Sequence, residues 1–123
     1  MEFDLPFPLS INRYHRHVMI RGKPRTLLSA EGRSFQRTVC NQIGKCKKLT
    51  GRVAVVIHAY MPNRKRRDID NLIKPLLDAM TLAGVWDDDS QVGRLTIEDR
   101  GVEPPGRAIV WIEEYENVSP DRV

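Results

Sequence analysis

The stretch "RVAVVIHAYMPNRKRRDIDNLIKPLLDAM", residues 52–80, joins a strand pattern, a charged loop and a helix pattern. In its first part Val53, Val55 and Ile57 point to one side and Ala54 and Val56 to the other, because strand side chains alternate between faces. A strand that is apolar on both sides belongs in the middle of a sheet. The stretch therefore predicts a sheet centred on this strand and followed directly by a helix.

The helix that follows the charged loop contains a proline. Its apolar positions follow the i, i+3, i+4, i+7 spacing of an amphipathic helix, and Gly84 can end it. They are Leu72, Ile73, Leu76, Leu77, Met80 and Ala83. A proline in a helix interior removes a hydrogen bond. Either the regular helix begins at about Leu72 or it kinks at Pro75, and both outcomes affect where Lys74 lies relative to Asp70.

The remaining segments complete a small fold. "FDLPFPL", residues 3–9, predicts an edge strand, since its prolines cannot donate ladder hydrogen bonds. Residues 10–25 predict a loop or irregular hairpin with a turn at Gly22, and Ser29 is a suitable N-cap for a helix that runs to about Lys47. "VGRLTIED" and "RAIVWIEEY" predict two further strands.

We therefore expect an α/β fold of the α+β type in one domain. A small mixed β-sheet of four to five strands packs with two main helices over residues 1–116, and residues 117–123 form a polar, frayed tail. With 41% hydrophobic and 29% charged residues, the composition is that of a soluble globular protein. No apolar run is long enough to span a bilayer, no signal peptide is visible, and two cysteines are too few for a disulfide framework. These features predict a cytoplasmic protein.

The charge is distributed unevenly along the chain. Residues 1–74 hold 16 Lys and Arg against 5 Asp and Glu, whereas residues 75–123 hold 4 against 11. Such clustering favours a polyanionic partner, most simply nucleic acid. By itself this signal is weak, because basic faces are common on proteins that bind no nucleic acid.

Two acidic clusters flank the helix of the opening stretch. Asp68 and Asp70 lie two residues apart and share one side of the chain if it is extended there. Asp70 is also a candidate helix cap, and Lys74 lies one turn further on, where an i,i+4 ion pair with Asp70 is the simplest interpretation. "WDDDSQV", residues 86–92, places three adjacent carboxylates after the helix, where few cations are near in sequence. Because like charges repel, a divalent ion such as Mg²⁺ would stabilise them; an exposed acidic turn is the alternative.

A basic run, a D-x-D, a lysine and a second acidic cluster together suit metal-assisted phosphodiester hydrolysis. Four blocks of the sequence resemble the RusA-type crossover junction endodeoxyribonucleases, a family that resolves Holliday junctions. The blocks are "LPFPLSINRYHRH", "SAEGRSF", "MPNRKRRDIDNLIKPLLDAM" and "AGVWDDDSQV". The resemblance implies a mixed α/β fold, an intertwined homodimer, and paired symmetric cuts in four-way branched DNA. It also implies a bacterial or phage-encoded protein that acts in DNA recombination and repair.

The resemblance also implies roles for individual residues. The metal ligands for Mg²⁺, which Mn²⁺ could replace, are Asp68, Asp70 and Asp89, with Asp88 in support. Lys74 joins Asp68, Asp70 and Asp89 in catalysis, and Asp87 is surface charge. DNA contacts are expected from Arg64, Lys65, Arg66, Arg67, Asn12, Arg13, Tyr14 and Arg16, although the block around Asn12 and Tyr14 could instead support the structure. We expect no membrane partner and no small-molecule organic cofactor.

Two other functions fit the same sequence. A nuclease for forks, flaps or other branched DNA would share the chemistry. A catalytically inactive module that binds branched DNA would share only the basic surface, and retained acids argue against it because they weaken phosphate binding.

Overall fold

The computed structural model describes residues 1–115, so that the tail expected at 117–123 lies outside the described residues. The main elements are β1 (Glu2–Pro6), α1 (Ile11–Tyr14), β2 (His15–Ile20), β3 (Lys23–Leu28), α2 (Ala30–Ile43), β4 (Val53–Met61), α3 (Ile73–Leu82), β5 (Val92–Val102) and β6 (Arg107–Glu114). Two short 3-10 turns lie at Ile69–Leu72 and Asp89–Gln91. The mixed α+β architecture is confirmed.

Strand β4, which forms the first part of the stretch at residues 52–80, lies inside the main sheet, as predicted. The four strands are ordered β1-β6-β4-β5, and β4 pairs antiparallel with β6 and parallel with β5. The expected edge position of β1 is confirmed. Val53, Val55 and Ile57 on one face of β4 are almost completely buried, whereas Val56 and His58 on the other face are half-buried. One face of the sheet therefore carries the core.

The two main helices cover that face. From α2, Phe35, Val39 and Ile43 enter the same apolar cluster as Leu76 and Met80 from α3. Burying each of these large side chains contributes about 1.5–3 kcal/mol relative to leaving it exposed. Apolar contacts thus fix both helices on the sheet.

Helix α2 begins as predicted but ends early. The hydroxyl of Ser29 accepts a hydrogen bond of 2.9 Å from the Gly32 N–H, which makes Ser29 the N-cap. The helix ends at Ile43, because Gly44 has a φ of 61° and turns the chain away. The predicted extension to Lys47 was wrong. Cys46, whose position in sequence continues the helical spacing, reaches the core from the following loop.

The proline in α3 lies where a helix tolerates it. The regular helix begins at Ile73 and Pro75 is its third residue, a position whose N–H has no intrahelical acceptor. A 3-10 turn over Ile69–Leu72 precedes it, so that the chain enters the helix without a kink at Pro75. Of the two predicted outcomes, the first is confirmed. Gly84, with a φ of 86°, follows the helix end as expected.

The region expected to be a loop or hairpin contains a one-turn helix and a regular hairpin. β2 and β3 form a separate two-stranded antiparallel sheet that turns at Arg21 and Gly22. At its base the Ser29 hydroxyl donates to the carbonyl oxygens of Arg13 and Tyr14 at 2.6 and 3.0 Å. Within residues 1–115, no helix is long and apolar enough to cross a membrane.

Candidate active site

The basic run leaves the carboxyl end of β4 as an exposed loop. Arg64, Lys65 and Arg66 are exposed, and Arg67 is half-buried with its guanidinium carbon 5.4 Å from the centre of the Phe7 ring. The Arg67 guanidinium also donates to the Lys65 carbonyl oxygen at 3.1 Å. In the described part of the chain, none of these cations forms an ion pair, so their charge faces solvent.

The N-terminal block lies beside the basic run. A cavity of about 410 Å³ is shared by side chains from both segments. It is lined by Arg13, Lys65, Arg66, Arg67, Asp68 and Asn71 together with residues 7–10, 62, 63 and 72. Arg13 is also paired with Glu31. The fold therefore brings together two groups of candidate DNA contacts that lie about fifty residues apart in sequence.

Asp68 and Asp70 follow the basic run and are both exposed. Asp68 is extended, with φ −86° and ψ 123°, but Asp70 already belongs to the 3-10 turn. The assumption of extended chain through both residues was therefore wrong at Asp70. The Asp68 side chain caps no helix. Over residues 1–115, neither carboxylate has a hydrogen bond or an ion pair, and the suggested helix cap at Asp70 is absent.

Lys74 points to a different acid from the one expected. Its ammonium nitrogen lies 2.9 Å from a carboxylate oxygen of Asp78 and 3.4 Å from one of Asp89. The i,i+4 pair with Asp70 was wrong, because the 3-10 turn rotates Asp70 out of line with Lys74. The hydrogen bond to Asp78 raises the pKa of Lys74, and the charge of Asp89 acts in the same direction. Lys74 is therefore a cation at neutral pH and is close to one predicted metal ligand.

The three consecutive aspartates each have a partner of their own. Asp87 pairs with Lys48 at 2.9 Å, and Asp89 pairs with Lys74. Asp88 caps the 3-10 turn and accepts the Ser90 N–H, which lowers the pKa of its carboxyl. The expectation that few cations were available was wrong, because Lys48 and Lys74 approach from other parts of the chain. Repulsion within this cluster therefore gives no argument for a metal ion.

Gln91 holds the acidic segment in place, a role that the sequence did not reveal. Its side-chain oxygen accepts from the N–H groups of Asp87 and Asp88 at 2.9 and 3.1 Å. Its side-chain nitrogen donates to the carbonyl oxygens of Leu49 and Gly51, both at 3.0 Å. Four hydrogen bonds from one side chain thus tie the aspartates to the loop before β4. The only sequence signal was the position of this glutamine in the family block.

The residues of the Asn-Arg-Tyr block differ in exposure. Asn12 and Arg13 are exposed, as is Arg16 in β2, and all three are accessible to DNA. Tyr14 is only 1% exposed, which favours a supporting role over a direct DNA contact. Its hydroxyl accepts from the Gln36 side chain, and burial together with the nearby charge of Asp78 raises its pKa.

Three of the four predicted metal ligands line two separate cavities, and Asp70 lines neither of them. Lys74, Asp78, Asp88 and Asp89 line a cavity of about 380 Å³, whereas Asp68 lines the cavity of the basic run. Among residues 1–115, no three His, Cys, Asp or Glu side chains form a ready metal cluster. The donor chemistry fits a hard cation nonetheless, because Asp68 and Asp70 offer exposed carboxylate oxygens that no protein group occupies in this part of the chain.

Comparison with known proteins gives one consistent family. Residues 6–113 match the family model described as Endodeoxyribonuclease RusA. The chain is 40% identical over 116 residues to the crossover junction endodeoxyribonuclease RusA of Escherichia coli strain K12, covering 92% of this chain and 93% of that protein. The proteins of the same name from Shigella sonnei strain Ss046 and from Enterobacteria phage 82 show the same identity and coverage.

Proposed function

We propose a junction-resolving nuclease function for this chain, which belongs to the RusA endodeoxyribonuclease family. The resemblance indicated by the four sequence blocks is confirmed. In the proposed reaction the protein hydrolyses phosphodiester bonds of four-way branched DNA in a Mg²⁺-dependent manner and makes paired symmetric cuts. Its role would lie in DNA recombination and repair in the cytoplasm of a bacterium, or of a bacterium that carries a phage.

The observation that carries this proposal is that the oppositely charged side chains after β4 do not pair with one another. Four cations and two carboxylates are consecutive or nearly so, yet within residues 1–115 they form no ion pair with one another. Pairing them would be favourable by roughly 0.2–1 kcal/mol per exposed pair. The unpaired arrangement leaves the cations available for phosphate and the carboxylates available for a metal ion.

Each group has a distinct role in the proposed reaction. Asp68 and Asp70 would hold the divalent ion with Asp89, supported by Asp88, and Mn²⁺ could replace Mg²⁺. When bound, such an ion withdraws charge from a phosphate oxygen and activates water. Mg²⁺ usually takes few protein carboxylates and completes its shell with water and substrate phosphate, so a ready cluster in the protein alone is not required.

The cations of this chain position the substrate. Lys65, Arg66, Arg67 and Arg13 would hold backbone phosphates along the shared cavity. The exposed side chains of Arg64, Asn12 and Arg16 would add contacts outside it. Lys74 relieves negative charge on the reacting phosphate. Asp78 holds Lys74 at 2.9 Å and thereby limits the directions in which its ammonium group can point.

Paired cutting favours a homodimer. One small site cannot reach two opposed strands at once, whereas a two-fold dimer supplies two sites that match the pseudo-two-fold symmetry of the junction. Light scattering at working concentration tests this part of the proposal: a dimer is expected, and a strict monomer would contradict paired cutting.

A nuclease for forks and flaps is the alternative with the same chemistry. The decisive experiment incubates the protein with mobile and fixed four-way junctions, forks and flaps, with and without Mg²⁺, and maps the cut positions. Symmetric paired cuts in the four-way junctions that require Mg²⁺ are expected. Preferred cutting of forks or flaps would replace the proposal with the alternative, and binding without any cutting would favour the inactive module.

A further inference from the structure

The hairpin formed by β2 and β3 carries cations and exposed apolar side chains on the same surface. Opposite residues of an antiparallel pair lie on one face, so the register places one cation beside one aliphatic residue in each of three alternate pairs, all on the same face. These pairs are Arg16 with Leu27, Val18 with Arg25, and Ile20 with Lys23. No aspartate or glutamate occurs anywhere from residue 5 to residue 30. This surface is therefore complementary to a polyanion.

The tip of the hairpin is unusually apolar for an exposed turn. Met19 is 67% exposed and Ile20 is 44% exposed, and the two side chains lie on opposite faces of the hairpin next to its turn. Large apolar side chains in this position have no core to stabilise them. Each residue from Met19 to Leu27 is exposed, so the tip projects into solvent while the base of the hairpin is held to α2 through Ser29.

The turn itself is strained in a way that places a cation at the tip. Arg21 has a φ of 53° and Gly22 a φ of 75°, as a two-residue hairpin turn of type I′ requires. Asn, Asp or Gly normally fills the first of these positions, because other side chains are disfavoured at positive φ. Among residues 1–115, Arg21 is the only non-glycine residue with positive φ. A positive charge is thus kept at the tip despite the local backbone preference.

The hairpin is directly continuous with the proposed phosphate-binding surface. Arg13, which lines the cavity of the basic run, lies in α1, and β2 begins two residues later. A DNA strand held by Arg64 to Arg67 would therefore lie at the base of the hairpin. Two-stranded ribbons fit into DNA grooves, and apolar side chains such as Met and Ile act as wedges between base steps in proteins that distort DNA.

We propose that the β2–β3 hairpin is a DNA-distorting wedge whose cations contact backbone phosphates while Met19 and Ile20 enter the branch point and unstack a base pair. This inference rests on the proposed function, since it needs branched DNA as the substrate. A branch point is the suitable target because its flanking base pairs lack a continuous stack, so an apolar group reaches the face of a base at a lower free-energy cost than in a duplex.

The test uses the full chain and a four-way junction that carries 2-aminopurine at the branch point, in EDTA so that no cleavage is needed. The wild-type protein should raise the fluorescence of the probe, because 2-aminopurine brightens when it unstacks. The double variant Met19→Thr/Ile20→Thr places threonine, a residue that favours strands, at both positions and should lose most of this increase. It should bind the junction roughly tenfold more weakly, with unchanged affinity for linear duplex.

Two matched controls separate a wedge from a general effect. Leu95→Thr removes an exposed apolar side chain from β5, and it should leave the fluorescence increase intact. Arg16→Gln/Lys23→Gln/Arg25→Gln should flatten the salt dependence of junction binding by roughly 0.9 for each phosphate that the variant no longer neutralises. The same number of exposed cations removed from and just after α2, Arg37→Gln/Lys45→Gln/Lys47→Gln, should change this slope less.

Three outcomes would overturn the wedge. The first is a full fluorescence increase with Met19→Thr/Ile20→Thr. The second is that Leu95→Thr loses the increase to the same extent. The third is a change of oligomeric state in the double variant, which would make the tip a contact between copies of the chain. Cleavage of the same junctions in Mg²⁺ is measured separately. Efficient paired cutting together with any of these outcomes would reject the wedge and leave the proposed function standing.

Discussion

The two acidic clusters of this protein have similar compositions and opposite surroundings. Asp68 and Asp70 contact no cation and no hydrogen-bond donor among residues 1–115, although four cations precede them directly in sequence. The second cluster has few cations near it in sequence, yet each of its carboxylates has a partner. Asp87 pairs with Lys48, Asp88 accepts the Ser90 N–H, and Asp89 pairs with Lys74. Proximity in sequence is therefore a poor guide to which carboxylates are neutralised.

The contrast separates two kinds of role. Carboxylates without a protein partner keep their oxygen atoms for a metal ion or for water, and removing one should leave the fold intact. A side chain that is hydrogen-bonded to backbone groups, as Gln91 is, holds the chain in place, and removing it should affect stability first. Asp70→Asn and Gln91→Ala test this division, and substitutions at Asp78 and Lys74 test the ion pair next to the second cluster; the four follow in decreasing order of expected effect.

Asp70→Asn should reduce junction cleavage by about 10²–10³-fold, the range seen when one group that stabilises a transition state is lost. Junction binding should be retained or improved, because a negative charge near phosphate is removed. The free energy of unfolding should change by no more than about 0.5 kcal/mol, since the carboxylate has no partner in the described residues. Single-turnover cleavage and urea unfolding measure the two effects. Substantial cleavage by this variant would remove the metal-ligand role.

Gln91→Ala should destabilise the protein by about 1–3 kcal/mol, because it removes four hydrogen bonds between the acidic segment and the loop before β4, and one hydrogen bond has a net contribution of about 0.5–1.5 kcal/mol. A lower urea midpoint with an unchanged slope is the expected result. Ser90→Ala is the matched control, because alanine keeps the backbone N–H that Ser90 donates to Asp88 and loses only an exposed hydroxyl contact with the same carboxylate. Equal stability of the two variants would show that the hydrogen bonds of Gln91 contribute nothing.

Asp78→Asn should lower junction cleavage by roughly tenfold with unchanged junction affinity, as is typical for loss of a supporting group around an active site. The reason is that Lys74 loses the partner that orients it. Asp87→Asn removes an aspartate that pairs with Lys48, a residue that lines neither of the two cavities, and it should cleave at nearly the wild-type rate. If both variants cleaved equally well, Asp78 would have no positioning role.

The pH dependence of Lys74 should produce the smallest effect. Its folded-state pKa is raised above the ordinary 10.5, so its contribution to stability is fully present below pH 10.5 and is lost as the pH rises through the folded-state pKa. For an exposed pair the contribution is roughly 0.2–1 kcal/mol. The difference in unfolding free energy between wild type and Lys74→Met should therefore shrink at alkaline pH, as urea titrations on both sides of pH 10.5 can measure. A constant difference would contradict the ion pairs.

Patterns that depend on local sequence predicted much of the fold. The alternation in β4, the N-cap at Ser29 and the apolar stripe of α3 were all confirmed, because each depends on neighbours within a few residues. The end of α2 was missed, since Gly44 stops the helix before the last residue with helical spacing in sequence. The family block also marked Gln91, but only the fold supplies the carbonyl oxygens that it holds.

For the site, the sequence by itself determined the set of chemical groups: a basic run, a carboxylate pair, a lysine and a second acidic cluster. The tertiary structure decided the pairing, because partners such as Lys48 with Asp87 and Tyr14 with Gln36 are separated along the chain and meet only when the helices pack on the sheet. Electrostatic and hydrogen-bonding contacts act over a few ångströms of space. The sequence therefore identifies the candidate residues, and only the fold determines which of them pair with other protein groups and which do not.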